Sequence, residues 1–168
     1  MEALKIAVLC VIAAVFYGIV HDQITARICV EYFTVFHPPV FHTKSPTLLG
    51  IGWGVLATWW VGVFFAAPMI LAARAGSRPA VRALELLPSI MWLLVCMAAS
   101  ALFFGITGYV LARLGVLATD WLTFSASPEM RYRFMADWWA HSGSYATAFV
   151  GGVVLCVVTY RRRLRPVL

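Results

Sequence analysis

Four long apolar stretches, separated by short polar segments, dominate the hydropathy pattern of the chain. Three of them run from Ile6 to Val20, from Leu48 to Ala73 and from Leu86 to Ala112, and the fourth is the later part of a helix predicted over 128–160. An apolar helix of about 20 residues is long enough to cross a bilayer. The pattern therefore predicts an all-α integral membrane protein with four membrane-spanning helices in a bundle.

The spans divide the chain into one transmembrane domain, because 168 residues is about one domain in length. The predicted spans are 4–22, 48–73, 86–112 and 138–160, and the predicted outer segments are 23–47 and 113–137. The first span could also be a signal peptide, but no small-x-small cleavage site follows it closely. We expect it to be retained as a helix.

The overall composition agrees with this class. Apolar residues make up 62% of the chain, only 12% of residues are charged, and the mean hydropathy is +0.88. In a soluble domain, about a quarter of all residues are charged. A chain of this length cannot bury so much apolar surface in a core of its own, so lipid must cover part of it.

Local signals define the helix ends. Residues 23–36 have strand-forming side chains, but Gln23, Arg27 and Glu31 share one helical stripe, which favours a helix. Pro68 predicts a kink in the second span. Ser127-Pro128-Glu129 is typical of a helix start. From there we expect a helix of about 50 Å that continues unbroken through Gly143.

The loop cations predict the orientation. Eight lie on one side, namely Lys5, Arg74, Arg78, Arg82, Arg161, Arg162, Arg163 and Arg165. Five lie on the other, namely Arg27, Lys44, Arg113, Arg131 and Arg133. Because cytosolic loops are enriched in cations, both termini are expected in the cytosol, as in a multi-pass protein of the bacterial inner membrane. The net charge of +6 thus reflects topology and does not indicate nucleic-acid binding.

Histidine and carboxylate side chains collect on the side opposite the termini, where they form a predicted polar cap. His21 and Asp22 leave the first span at about the depth where Asp137 and His141 enter the fourth. Asp137 and His141 are four residues apart and share a helix face. A polar stripe on a spanning helix normally faces the bundle interior or water.

These residue types favour a metal site, because imidazole and carboxylate are suitable ligands for zinc or non-haem iron. The candidate ligands are His21, Asp22, Glu31, His37, Asp137 and His141. Haem b held by His21 and His141 is a further possibility. Within this set we expect Asp137 to orient His141, and Arg27 and Arg133 to form supporting ion pairs with Glu31 and Asp137.

A purely structural interpretation stands beside these. The same ion pairs would then lie at the lipid boundary, with the histidines hydrogen-bonded at the interface, where polar groups cost little. No H-E-x-x-H or paired E-x-x-H motif supports a metal, and no C-x-x-C pair supports a thiolate site or a disulfide framework.

Three functions stay open, and the sequence does not decide whether the protein is an enzyme. One is metal-dependent binding or catalysis at the non-cytosolic interface. Another is a non-catalytic subunit or assembly partner of a larger membrane complex, or a homo-oligomer, packed through small-residue faces. The last is a binder of an apolar ligand, such as a lipid or quinone, between tryptophans.

Overall fold

The computed structural model describes residues 1–122 and 127–163, and these form helices without any strand. The helices are α1 (Glu2–Ile28), α2 (Val30–Thr34), α3 (Pro46–Leu56), α4 (Trp59–Arg74), α5 (Ala83–Arg113) and α6 (Pro128–Arg162). Four segments are long and apolar enough to cross a membrane: α1, α3 with α4, α5, and α6. The all-α class and the four predicted spans are confirmed.

The spans pack as two pairs that close into a bundle. α5 lies against α6, while α1 lies against α3 and α4, and further contacts join α1 to α5 and α4 to α6. Glycines permit the closest approaches. A Cβ at Gly54 would lie 2.5 Å from the Ile19 backbone, and one at Gly108 would lie 2.7 Å from the Met135 carbonyl oxygen. Small residues at such crossings let helix backbones approach closely.

Large apolar side chains cover the outside of the bundle. Leu4, Leu102 and Phe149 are each about three-fifths exposed or more, at 69%, 66% and 59%. A soluble monomer rarely exposes apolar surface over whole helix faces. The surface therefore suits a lipid environment.

The second span is interrupted at Ala57 and Thr58, between α3 and α4. Pro68, for which the sequence predicts a kink, lies inside the continuous helix α4. The Thr58 hydroxyl donates a hydrogen bond to the Gly54 carbonyl oxygen. A side chain that bonds to the carbonyl four residues earlier competes with the helix ladder, which explains the interruption at this point.

The region after the first span is helical, as predicted. α1 continues to Ile28, so residues 23–28 of the expected outer segment belong to the first long helix. Cys29 then adopts an extended conformation, with φ of −145°, and α2 follows as a single short turn of helix. The break at Cys29 changes the direction of the side chains beyond it.

The fourth helix agrees with the prediction. It begins at Pro128, runs without a break through Gly143 and ends at Arg162. Its 35 residues correspond to about 52 Å. The end of the bundle at which α1 ends and α6 begins is called the distal end below, and the end that carries Glu2 and Arg162 is called the proximal end. Arg165, counted above among the loop cations, lies outside the described residues, as do residues 123–126 of the loop before α6.

Candidate metal centre

Two histidines and one aspartate meet between α1 and α6 near the distal end. The His21 and His141 rings are in edge-to-face contact, with 4.5 Å between their centroids. His141 Nε2 lies 3.3 Å from Asp22 Oδ1. One possible ligand atom from each of the three residues lies within 4.8 Å of the other two. Asp22 and His141 are buried, with 6% and 5% of their surface exposed.

The hydrogen bonding of His141 defines its tautomer. Nδ1 lies 2.7 Å from the carbonyl oxygen of Asp137, which can only accept, so Nδ1 carries the proton and donates. In a neutral ring, Nε2 is then an acceptor that faces the carboxylate of Asp22. Two acceptors 3.3 Å apart require a cation or a proton between them. The expected orienting role of Asp137 is thus performed by its backbone carbonyl and not by its carboxylate.

Buried polar atoms without a hydrogen-bond partner concentrate at this place. Within residues 1–122 and 127–163 there are four such side-chain atoms, and three of them are His21 Nε2, Asp137 Oδ1 and Asp137 Oδ2, although the Cys29 backbone N–H lies near the Asp137 carboxyl. Asp137 has no exposed surface at all. Buried polar groups are normally paired, because leaving one unpaired costs about 1–3 kcal/mol. Two sequence-predicted ligands therefore carry unused donor or acceptor capacity beside the cluster.

The predicted ion pair between Arg133 and Asp137 does not form. Arg133 is exposed, and its Nε donates instead to Glu129 Oε1 at 3.1 Å. Glu129 and Asp137 are each four residues from Arg133, but Asp137 lies on the buried face of α6. A guanidinium would lose its hydration on entering that face, so it bonds to the exposed acid.

The predicted pair between Arg27 and Glu31 does not form either. Arg27 donates to the Gln23 side chain and to Thr47 Oγ1, both at 2.8 Å. The spacing of four residues assumes a continuous helix, and the extended Cys29 interrupts it. Glu31 instead accepts a long contact of 3.5 Å from the Cys29 thiol.

Cys29 lies beside the site but is not part of the cluster of ligand atoms. Burial raises the pKa of its thiol to about 12, and the nearby Asp137 and Glu31 carboxylates add to the shift. In the metal-free protein the thiol is therefore protonated at neutral pH. The shift also shows that Asp137 and Glu31 both lie close to the α1–α2 break.

His37 lies beside the cluster in an aromatic surrounding. Its ring centroid is 4.8 Å from that of Trp53 and 4.9 Å from that of Tyr32, and its Nδ1 donates to the Tyr32 carbonyl oxygen at 2.7 Å. In His141, too, Nδ1 is held by a backbone carbonyl oxygen. In both histidines Nε2 takes no part in that hydrogen bond. His37 lies within electrostatic range of Asp22. His42 is exposed and takes no part.

Three tyrosines belong to the site, although the sequence prediction of ligands leaves them out. Tyr32 stacks on His141 with centroids 4.6 Å apart, Tyr17 is hydrogen-bonded to Ser144 at 2.8 Å, and the Tyr145 ring centroid lies 6.2 Å from that of His141. Burial, followed by the charges of Tyr145, Asp137 and Asp22, raises the pKa of Tyr32 well above its usual range. Tyr17 stands one helical turn before His21, which is the only sequence signal for it. Tyr32 lies beyond the α1–α2 break, where helical spacing carries no information.

The donor set is two imidazoles and one carboxylate. This set occurs in catalytic zinc sites and in the facial triad of non-haem iron enzymes, both of which leave coordination positions open. Two ligands at ~2.1 Å from a tetrahedral ion are about 3.4 Å apart, which agrees with the 3.3 Å between His141 and Asp22. The His21 ligand atom would have to move slightly closer to those of His141 and Asp22, since the three atoms are up to 4.8 Å apart. The His21 and His141 rings are in contact and do not flank a space for a porphyrin, so this arrangement does not support a haem between them.

Comparisons of the chain with protein-family models, with curated proteins and with solved structures find no match. The fold and the geometry of the His21, Asp22 and His141 cluster are therefore the observations from which a function is argued.

Proposed function

We propose that this integral membrane protein binds one Zn²⁺ or Fe²⁺ ion through His21, Asp22 and His141. The bound metal would serve metal-dependent binding or catalysis close to the membrane interface. The observation that carries the proposal is the convergence of three ligand atoms, one each from His21, Asp22 and His141, within 4.8 Å of one another. A divalent cation among them would pair with His141 Nε2 and Asp22 Oδ1 and would give His21 Nε2 a partner.

The surrounding side chains suit supporting roles. The backbone carbonyl of Asp137 fixes the His141 ring, as a group hydrogen-bonded to a ligating imidazole does in metal sites. The buried Asp137 carboxyl, which the Cys29 backbone N–H also approaches, would hold a water molecule against the metal. His37 and Glu31 lie at the edge of the site and would extend it. Tyr32 packs on His141 and limits the movement of its ring.

Metal analysis tests this function. Protein purified without a histidine tag, incubated with Zn²⁺ or Fe²⁺ and dialysed, should hold about one ion per chain by mass spectrometry of the metal. His141→Ala should hold less than about a tenth of that amount, because one of three ligands is missing. His42→Ala is the matched control, since it removes an exposed histidine outside the cluster, and it should retain the metal. Equal metal contents in all three proteins would refute the site.

We propose further that the whole chain forms a single transmembrane domain in a bacterial inner membrane. Both termini would lie in the cytosol, and the distal end would form a polar cap on the outer side. The excess of arginine and lysine at the proximal end supports this orientation. A cysteine placed at Ser45 should react with a membrane-impermeant maleimide added outside, and one placed at Ser77 should not. The opposite pattern would reverse the orientation without affecting the metal site.

A further inference from the structure

An apolar groove runs beside the candidate metal centre, between α1, α5 and α6. Its volume is about 370 Å³. Aliphatic and small side chains form most of its walls, and His21 is one of the few polar residues that line it. Small residues on α5 and α6, namely Ala98, Ala101, Gly105, Ala136 and Ala140, create the space.

The groove is long and narrow. On α5 it extends from Ala98 to Tyr109, which is about 16 Å at the helical rise. Spread over that length, its volume suits one hydrocarbon chain better than a fused ring system. All three helices belong to spans, so a ligand would enter the groove from the bilayer.

Charged side chains lie near Tyr109, the last residue of α5 that lines the groove, at its distal mouth. The Tyr109 hydroxyl donates to Glu129, and Arg133 also donates to Glu129. Arg113 is exposed and stands one turn beyond Tyr109, on the same face of α5. Arg133 is paired with Glu129, so the surplus positive charge near Tyr109 comes from Arg113, and it is complementary to an anionic head group.

His21 lies part of the way along the groove rather than at its mouth. Gly105 packs on Ala140, since a Cβ at Gly105 would lie 3.3 Å from that of Ala140. Ala140 is the neighbour of His141, whose ring touches His21. His21 is therefore level with Gly105, which is eight residues, or about 12 Å, from Arg113. If a hydrocarbon chain were anchored by its head group at the mouth, an internal carbon of that chain would lie beside His21.

We propose that the groove binds one long-chain fatty acid, with its carboxylate at Arg113 and Arg133 and its chain running past His21 towards Ala98. An internal position of the chain, and not the head group, then packs against the His21 ring, next to the proposed metal centre. The part of this proposal that concerns the metal rests on the proposed function, whereas binding in the groove does not.

Photo-crosslinking tests the proposal in protein reconstituted in nanodiscs. The probe is a hexadecanoic acid with a diazirine at an internal carbon, and a second probe has the diazirine beside the carboxyl group. The internal probe should label residues near His21 and Gly105, and the second probe should label residues between Tyr109 and Arg113. Excess unlabelled hexadecanoic acid should reduce this labelling at least about fivefold, because a specific site saturates. Labelling that does not saturate, or that spreads evenly over the lipid-facing surface, overturns the proposal.

A pair of adjacent substitutions provides the control. Ala98 and Ala99 are both exposed on α5, but only Ala98 lines the groove. Ala98→Phe should reduce saturable labelling at least about fivefold, and Ala99→Phe should leave it unchanged. Equal labelling of the two variants contradicts the proposal. If a bilayer phospholipid competes as well as hexadecanoic acid, the occupant is a phospholipid and the proposal is wrong.

The metal content of the same preparations separates the two claims. Saturable labelling without bound metal would refute the proposed function and leave the fatty-acid site standing. One metal ion per chain without saturable labelling would refute the fatty-acid site alone.

Discussion

Replacement of Arg163 with alanine is expected to lower the free energy of unfolding by at least about 3 kcal/mol. Arg163 is only 5% exposed. Its guanidinium donates to the carbonyl oxygens of Pro79, Ala72, Ala75 and Arg78, at 2.8, 2.9, 2.8 and 3.1 Å. A hydrogen bond from a charged group contributes about 1.5–3 kcal/mol, and several made by one group do not add fully.

The position of these carbonyl groups explains why the effect should be large. Ala72 and Ala75 stand at the C-terminal end of α4, where carbonyl groups have no partner within the helix and where a cation is favourable. Arg163 thereby joins the end of α6 to the end of α4 and to the loop before α5. Without it, buried carbonyl oxygens lose their donors.

Unfolding in detergent, followed by circular dichroism, measures this prediction. Arg162→Ala is the control, because Arg162 is exposed one residue earlier in the same helix, and it should change the stability by less than about 0.5 kcal/mol. Arg163→Lys should recover only part of the loss, since lysine has three donors and no planar fork. If Arg163→Ala unfolded like the native protein, this role of Arg163 would be refuted.

The sequence predicted the spans because apolar runs of this length have few alternatives. It also placed His21 and Asp22 opposite Asp137 and His141, since residue counts along two helices fix their depth in the membrane. Hydrophobic patterning could not reveal the two helix interruptions. The break at Cys29 and the break at Thr58 each depend on local backbone conformation, and no proline or glycine stands at either position.

Charge partners were the weakest part of the prediction. The pairs Arg27–Glu31 and Arg133–Asp137 followed from helical spacing alone, and spacing says nothing about burial or about a helix break between the partners. Arg163 was interpreted as one of several cations that report topology. Its burial could not be predicted, because it depends on how the loop before α5 packs against the end of α6. In the same way, the burial of the Asp137 carboxyl could be recognised only once its neighbours were in place.

Replacement of any of the three proposed ligands should weaken metal binding more than replacement of any other residue near the site. His21→Ala, Asp22→Ala and His141→Ala are each expected to weaken the affinity for Zn²⁺ at least about 100-fold, because even the loss of a supporting hydrogen bond costs 10–100-fold in metal sites. Competition with a chelating dye measures these affinities. Asp22→Asn tests the charge separately, since it keeps the shape of the side chain, and it too should bind more weakly.

X-ray absorption at the zinc edge of the loaded protein tests the metal centre most directly. The account predicts nitrogen and oxygen neighbours at ~2.0–2.2 Å, an outer-shell pattern from two imidazoles, and no sulfur at ~2.3 Å. The imidazole pattern should fall to one ring in His141→Ala that has been loaded at high zinc concentration. A sulfur shell, or a spectrum that is identical in the native protein and in His141→Ala, would contradict the assignment of His21, Asp22 and His141 as the metal ligands.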